Sequence, residues 1–431
     1  MTDRPSDPPE APASLADAIG CLSSYDPGAL PVDDACRVIA RLLRPVAAIE
    51  QVAIRASLGR ILAHDILSPI SVPAHDNSAM DGFAVRHADL VADTPVRLRL
   101  IGTALAGKPL PQVPGPGEAV RVMTGAVMPT GTDTVVIQEV AREQDGFVTV
   151  PPGQEAGQNR RLKGEDLTAG QPALEAGRLI RPADLGLLAS LGIAEVPVRR
   201  RLRVAIFSTG DELRSIGEPL GPGQVYDSNR YTLHGMLARL GVDLIDMGVV
   251  RDDPLALEAA IRAAAGSADA IISSGGVSVG EADFTREIMA RLGDVAFWTI
   301  AMRPGRPLAF GRIGDAVYFG LPGNPVAVMI TFYFFARAAL LRLMGASESP
   351  SVFTRARSRE FLRKKPGRTE YQRAIITRSP DGEPEVRTTG SQGSGVLRSM
   401  SRANCIVVLH HDQASVPEGG WVDCLLFDGL V

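Results

Sequence analysis

Between residues 202 and 345 the chain alternates short apolar runs with amphipathic stretches, and no other feature limits its fold as tightly. Val204-Ala205-Ile206-Phe207, Asp243 to Val250, Ala270-Ile271-Ile272 and residues 316–319 read as buried strands. Residues 231–240, 254–265, 284–292 and 326–344 carry helical patterns. Strands that alternate with helices of roughly 10–15 residues predict a parallel sheet covered on both faces, a doubly wound α/β domain. Such sheets bind ligands outside the carboxyl ends of their strands, so chemistry is expected in the loops there.

The flanking regions follow other patterns. Residues 1–30 are rich in Pro, Ala and acids without sustained periodicity, and read as a loose tail. Asp33 or Asp34 is placed to cap a helix whose apolar face is Ala35, Val38, Ile39, Leu42 and Leu43. From about residue 72 to 150, short alternating runs lie between Gly and Pro clusters, which predicts a small β-rich module. Pro182 suits the first turn of a helix running to Leu191. After about Ser349 the helical patterns stop, and residues 355–361, 370–376, 385–389, 405–409 and 421–427 read as strands of a small barrel or sandwich. The 44 glycines and 32 prolines are about 18% of the chain, against roughly 12% usually, and fit so many turns.

Charge and cysteine usage exclude several classes. A net charge of −4 offers no electrostatic footprint for nucleic acid or an anionic membrane. Cys21, Cys36, Cys405 and Cys424 form no C-x-x-C pair, which argues against structural zinc or a disulfide framework and fits a reducing cytoplasm. The first ten residues lack the basic start and apolar run of a signal peptide. Residues 316–336 hold no charge over 21 positions, long enough to span a bilayer. Gly320-Leu321-Pro322-Gly323-Asn324-Pro325 would break such a helix near its start. The stretch reads as a buried strand, a turn and a buried helix, with no membrane partner.

Five unusual loops fall on the rim where ligands are expected. They are Ser208-Thr209-Gly210-Asp211-Glu212-Leu213, Arg251-Asp252-Asp253-Pro254, residues 273–283, Arg303-Pro304-Gly305-Arg306-Pro307 and Gly320 to Pro325. Singly, each is explained by helix caps and turns. Together they are harder to dismiss. Gly275-Gly276 lets backbone N–H groups converge on a phosphate, with Ser273, Ser274 and Ser278 adding hydroxyls. The carboxylates of Glu212, Asp252 and Asp283 would repel a bare phosphate. Mg²⁺, held between one or two carboxylates and substrate phosphates, resolves that conflict. Outside this domain, residues 75–83 read as a turn and residues 159–166 as a solvated charge run.

Seven motifs then resemble one family in order and spacing: Asp76 to Gly82, Met123-Thr124-Gly125-Ala126, Gly164-Glu165-Asp166, Ser208 to Leu213, Ser274 to Asp283, Arg303 to Pro307, and Leu321 to Pro325. The family is molybdopterin molybdenumtransferase, MoeA, also seen as the E-domain of gephyrin. The resemblance runs from about Pro31 to the C-terminus. It implies an elongated domain from residues 31–70 and 167–201, a β-rich insertion (71–166), a molybdopterin-binding α/β domain (202–348) and a C-terminal β-barrel (349–431). It also implies a homodimer, and a reaction of adenylylated molybdopterin with molybdate and a divalent cation that releases AMP and molybdenum cofactor. Asp81, Thr124, Asp166 and Glu212 match positions tied to activity. The adenylate would lie along Gly275, Gly276 and Ser278, with Ser208, Gly210, Pro322, Asn324 and Pro325 on the substrate-binding loops. Asp252 and Asp283 would hold the metal. Arg303, Arg306, Arg373 and Ser394 would hold molybdate, an oxyanion suited to Arg and hydroxyl donors.

One departure stands out. The family commonly has Lys where this chain has Thr299, Arg303 and Arg306, and Thr299 loses the charge outright. Two other readings compete. A molybdopterin adenylyltransferase, itself a candidate partner that supplies the substrate, resembles only the central domain. A non-catalytic scaffold of the gephyrin kind has no need of the intact Asp81, Thr124, Asp166, Glu212, Asp252 and Asp283.

Overall fold

A computed structural model describes residues 14–276, 283–347 and 352–427. The expected tail falls partly on residues 1–13, which lie outside the described residues. A short helix, Leu15–Ile19, is capped by Ser14, and Leu15 N–H donates to Asp294 Oδ2 at 2.7 Å. Leu30 N–H donates to Thr299 O and Thr299 N–H to Pro27 O, while Trp298 Nε1 donates to the Tyr25 hydroxyl. Residues 14–30 are therefore fastened to the α/β domain, not a loose tail. Only Leu15, Ala18 and Leu30 are buried there, too few to show as a period. The following helix, Val32–Leu42, buries Ala35, Val38, Ile39 and Leu42 as its spacing requires. Its N-cap is Pro31 rather than either aspartate. Asp33 and Asp34 instead lie in the first turn, where they favour the helix dipole.

Ile49–Ala53 pairs with Glu195–Arg199, and Ile66–Leu67 with Pro172–Leu174, both antiparallel. The helix Pro182–Ser190 starts with Pro in its first turn. Between these pairs sits a six-stranded sheet in the order Thr134–Ile137, Gly82–Val85, Glu118–Val122, Val96–Ala104, Phe147–Val150, Arg142–Gln144.

The central sheet runs Asp243–Val250, Arg203–Thr209, Ala270–Ser274, Ala316–Leu321, Pro307–Ile313, Gly293–Thr299. The first four strands are parallel. Along them, Val204, Ile206, Ile272 and Phe319 enter one core while Ala205, Phe207, Ile271 and Tyr318 enter another. That period of two buries both faces, as doubly wound sheets require. The last two strands are antiparallel and depart from the all-parallel expectation. Glycines obscure them in the sequence. A Cβ at Gly293 or Gly311 would lie 2.0 Å from a carbonyl oxygen of the partner strand, so close an approach admits only glycine.

The helices are Ser228–Leu240, Pro254–Ser267, Asp283–Leu292 and a long one, Pro325–Leu343, with a π-turn at Phe332–Ala336. Asp227 and Asp253 cap the first two. The long helix is apolar enough to cross a membrane, yet 67% of its apolar window is buried inside the fold, as a core helix would be.

Five strands, Thr354–Ser358, Thr369–Arg378, Pro384–Thr388, Cys405–Leu409 and Trp421–Leu426, close into a barrel. A helix at Leu397–Arg402 interrupts them, so helical structure does not stop at residue 349. The strand Met302–Arg303 of the central domain pairs with Thr369 and Glu370 of the barrel. That pairing sets Arg303 at the seam between the two domains.

Candidate functional site

A cleft of about 660 Å³ opens at the carboxyl ends of the parallel strands, between the central domain and the barrel. Gly210, Glu212, Asp252, Gly275 and Gly276 line its central-domain side, with Arg303, Arg306, Pro322 and Asn324. Ser394 lines it from the barrel. The glycine turn is demanded by conformation. Gly275 and Gly276 have φ of +94° and +68°, and a Cβ on Gly275 would lie 2.5 Å from Thr209 O. Both features exclude a side chain and let the main chain approach a ligand closely, while the Gly275 N–H itself donates to Leu321 O at 3.1 Å. Arg303 and Arg306 are exposed and make no ion pair among the described residues. The cleft therefore sets two guanidiniums against the carboxylates of Glu212 and Asp252. Ser278 and the side chain of Asp283 lie outside the described residues.

Three expected ligand-binding residues are placed differently. Ser208 is buried and donates to Asp227 Oδ1 at 3.0 Å, so its hydroxyl serves the helix cap rather than the cleft. Pro325 begins the long helix and does not line the cleft. Arg373 is fully buried. Its Nε donates to Ser399 Oγ (2.9 Å), Nη1 to Gln392 O (3.1 Å), and Nη2 to Ser391 O (3.2 Å) and Gly393 O (2.9 Å). Three of these bonds go to the loop at 391–393 that leads to Ser394 and one to Ser399 on the following helix, so Arg373 acts as a clamp, although it also borders a smaller cavity on the barrel side. Burial pushes its guanidinium down to about 10, with the charge of Arg303 adding to the effect.

A second cavity of about 380 Å³ lies on the barrel side and shares Arg303, Pro304 and Gln392 with the cleft. Arg363, Lys364 and Lys365 border it. Lys364 is buried, and its ammonium donates to the carbonyls of Lys365, His411 and Gln413 at 3.0–3.2 Å.

The insertion carries a separate cluster. The Thr124 N–H and Oγ1 both donate to Asp81 Oδ1, at 2.7 and 2.9 Å, and together hold the Asp81 carboxyl below its ordinary range. Asn77–Ser78 pairs with Arg160–Arg161, which joins the loop at 75–83 to the run at 159–166. Lys163 N–H donates to Asp76 Oδ1 at 2.7 Å, and Arg160 Nε to Asp76 Oδ2 at 3.0 Å. The run at 159–166 is thus tied down, not merely solvated. Asp166 N–H donates to Val72 O at 3.1 Å. Asp81, Thr124 and Asp166 line neither cavity, so they are not brought together with Glu212 within this chain. Thr299 lines neither cavity as well; its backbone is bound to the N-terminal segment.

Thr209, Asn229, Gln392 and Gly393 also line the cleft. Thr209 falls within the Ser208–Leu213 loop already singled out, whereas Asn229, Gln392 and Gly393 show only polarity or glycine beside a turn or helix start, which most such residues share.

Fold and cleft together define a multidomain protein built around a ligand-binding doubly wound domain. Residues 30–192 match the MoeA N-terminal region (domain I and II), 205–342 the probable molybdopterin binding domain, and 355–427 the MoeA C-terminal region (domain IV). The chain is 42% identical to the molybdopterin molybdenumtransferase of Haemophilus influenzae, over 89% of its own length and 95% of that protein. It is 39% identical to the Nostoc protein of the same name, covering 86% of this chain and 87% of the other. The crystal structure of a molybdopterin biosynthesis MoeA protein from Pyrococcus horikoshii superposes with a TM-score of 0.80 at 27% identity, covering 92% of this chain and 100% of that one. This chain belongs to the MoeA family of molybdopterin molybdenumtransferases.

Proposed function

We propose that this protein inserts molybdenum from molybdate into adenylylated molybdopterin, releasing AMP and molybdenum cofactor. The observation that carries this reading is the cleft itself. A glycine turn suited to phosphate lies beside two carboxylates and faces two exposed guanidiniums that make no ion pair among the described residues. The adenylate would run along Gly275, Gly276 and Ser278, with its phosphate meeting backbone N–H groups. Arg303, Arg306 and Ser394 would hold molybdate, and Arg373 would hold the Ser394 loop in place.

No three His, Cys, Asp or Glu side chains converge as a metal cage among the described residues. Mg²⁺ fits that pattern, because it takes one or two carboxylates and completes its shell with phosphate oxygens and water. Asp252 and Asp283 would hold it, where it would neutralise phosphate charge. Glu212 acts from the same rim. Asp81, Thr124 and Asp166 would complete the cleft of a partner copy in a cytoplasmic homodimer. A molybdopterin adenylyltransferase would supply the substrate.

The test is molybdate-triggered release of AMP from protein loaded with adenylylated molybdopterin. Release that depends on molybdate is expected. A loaded protein that retains its nucleotide at saturating molybdate would refute the reading.

A further inference from the structure

Two polar atoms at the cleft are buried without a hydrogen-bond partner among the described residues: Asn229 Oδ1 and Thr209 Oγ1. Both residues line the cleft, and each is only 8% exposed. Buried polar groups are almost always paired, so an orphan acceptor bordering a ligand cleft points to a partner that arrives with the ligand.

The orientation of Asn229 is fixed by its other end. Nδ2 donates to Ser274 Oγ at 2.8 Å and to Gly323 O at 2.7 Å. A carbonyl oxygen can only accept, so a flipped amide would set two oxygens against each other. Oδ1 is therefore committed to accept, with no donor to meet it among the described residues. Asn229 lies in the first turn of Ser228–Leu240, held by the Asp227 cap, and reaches both Ser274 and the 322–324 turn. It lines the cleft beside Ser274, Gly275 and Gly323. Thr209 Oγ1 lies beneath the glycine turn, 2.9 Å from where a Gly275 Cβ would be. A hydroxyl can rotate to donate or accept, whereas the asparagine oxygen has one role.

We propose that Asn229 Oδ1 accepts a hydrogen bond from a neutral O–H or N–H donor on the nucleotide portion of the substrate, which makes Asn229 a specificity-determining residue. This rests on the nucleotide reading given above. An ionised phosphate cannot fill the role, since its oxygens only accept. The donors an adenylate offers are its ribose hydroxyls and its exocyclic amine.

Isothermal titration of the full chain with AMP, 2′-deoxy-AMP, 3′-deoxy-AMP and inosine monophosphate tests this. At least one analogue should bind wild-type protein about fivefold or more weakly than AMP, because it leaves Oδ1 unpaired. In Asn229→Ala that ratio should collapse to about 1, as the acceptor is gone. An Asn229 that only braces its loops would weaken every ligand alike and leave the ratio at its wild-type value, which overturns the proposal. Equal affinity of all four ligands for the wild type also overturns it, needs no variant, and leaves the nucleotide reading standing. If the wild type binds none of the four, the nucleotide reading and the Asn229 assignment fall together.

Discussion

Arg373→Met keeps an apolar stem and deletes the guanidinium, which separates a clamp from an anion ligand. Four hydrogen bonds leave with it, to Ser399 Oγ and to the carbonyls of Ser391, Gln392 and Gly393. Bonds to a charged donor contribute roughly 1.5–3 kcal/mol each, a gross loss of roughly 6–12 kcal/mol. Two effects offset part of it. No carboxylate pairs with Arg373 among the described residues, so the several kcal/mol that its burial costs vanish with the charge. Gln392 borders both cavities, so water can rebind some of the carbonyls. A net loss of roughly 3 kcal/mol remains.

For a domain of roughly 60–100 residues, 1 kcal/mol moves Tm by about 4–8 °C, so the barrel transition should fall by more than about 10 °C. The chain has two tryptophans, Trp421 on a barrel strand and Trp298 in the central sheet. Fluorescence melting in a Trp298→Phe background therefore follows the barrel alone. A Tm within about 2 °C of that background, together with a molybdate requirement raised about tenfold, would refute the clamp and return Arg373 to the ligand set.

Three further outcomes are expected. The Lys163 N–H, helped by the Arg160 guanidinium, holds the Asp76 carboxyl below its ordinary range against a smaller opposing effect of burial. Its stabilisation is present above the unfolded value near ~3.9 and is lost as pH falls through the lower folded value, so Asp76→Asn should flatten the acid limb of the stability curve below about pH 5. Gly275→Ala forces a side chain into φ +94° and against Thr209 O, so AMP affinity should drop at least about tenfold by titration; unchanged affinity would mean the turn does not carry the phosphate. Mixing inactive Asp81→Ala and Asp252→Ala chains under verified subunit exchange should restore about a quarter of wild-type AMP release, because half the dimers are mixed and each then holds one intact site. Mixed dimers without activity would show that the site is built within one chain.

Much of the site was legible because glycine reports backbone geometry locally. Gly275 and Gly276 stand where φ must be positive, and the apolar runs around them fix the strand ends. Pairings over long separations left no such mark: Asp81 meets Thr124 across 43 positions, and Asp76 meets Lys163 across 87. Nor does composition reveal the two antiparallel strands, whose glycines look like turns until the neighbouring carbonyls are in place. Arg373 shows the deeper difficulty. Its residue type points to an anion, but its role depends on whether a loop 18 to 20 residues away has already taken its donors. Ser208 poses the same question, and Asp227 answers it. A polar residue is a ligand or a brace according to which of its hydrogen bonds the fold leaves unmade. By that criterion Arg373 and Ser208 are largely spent. Asn229, which resembles any other helix-start residue in the sequence, lines the cleft with an acceptor that no described residue meets.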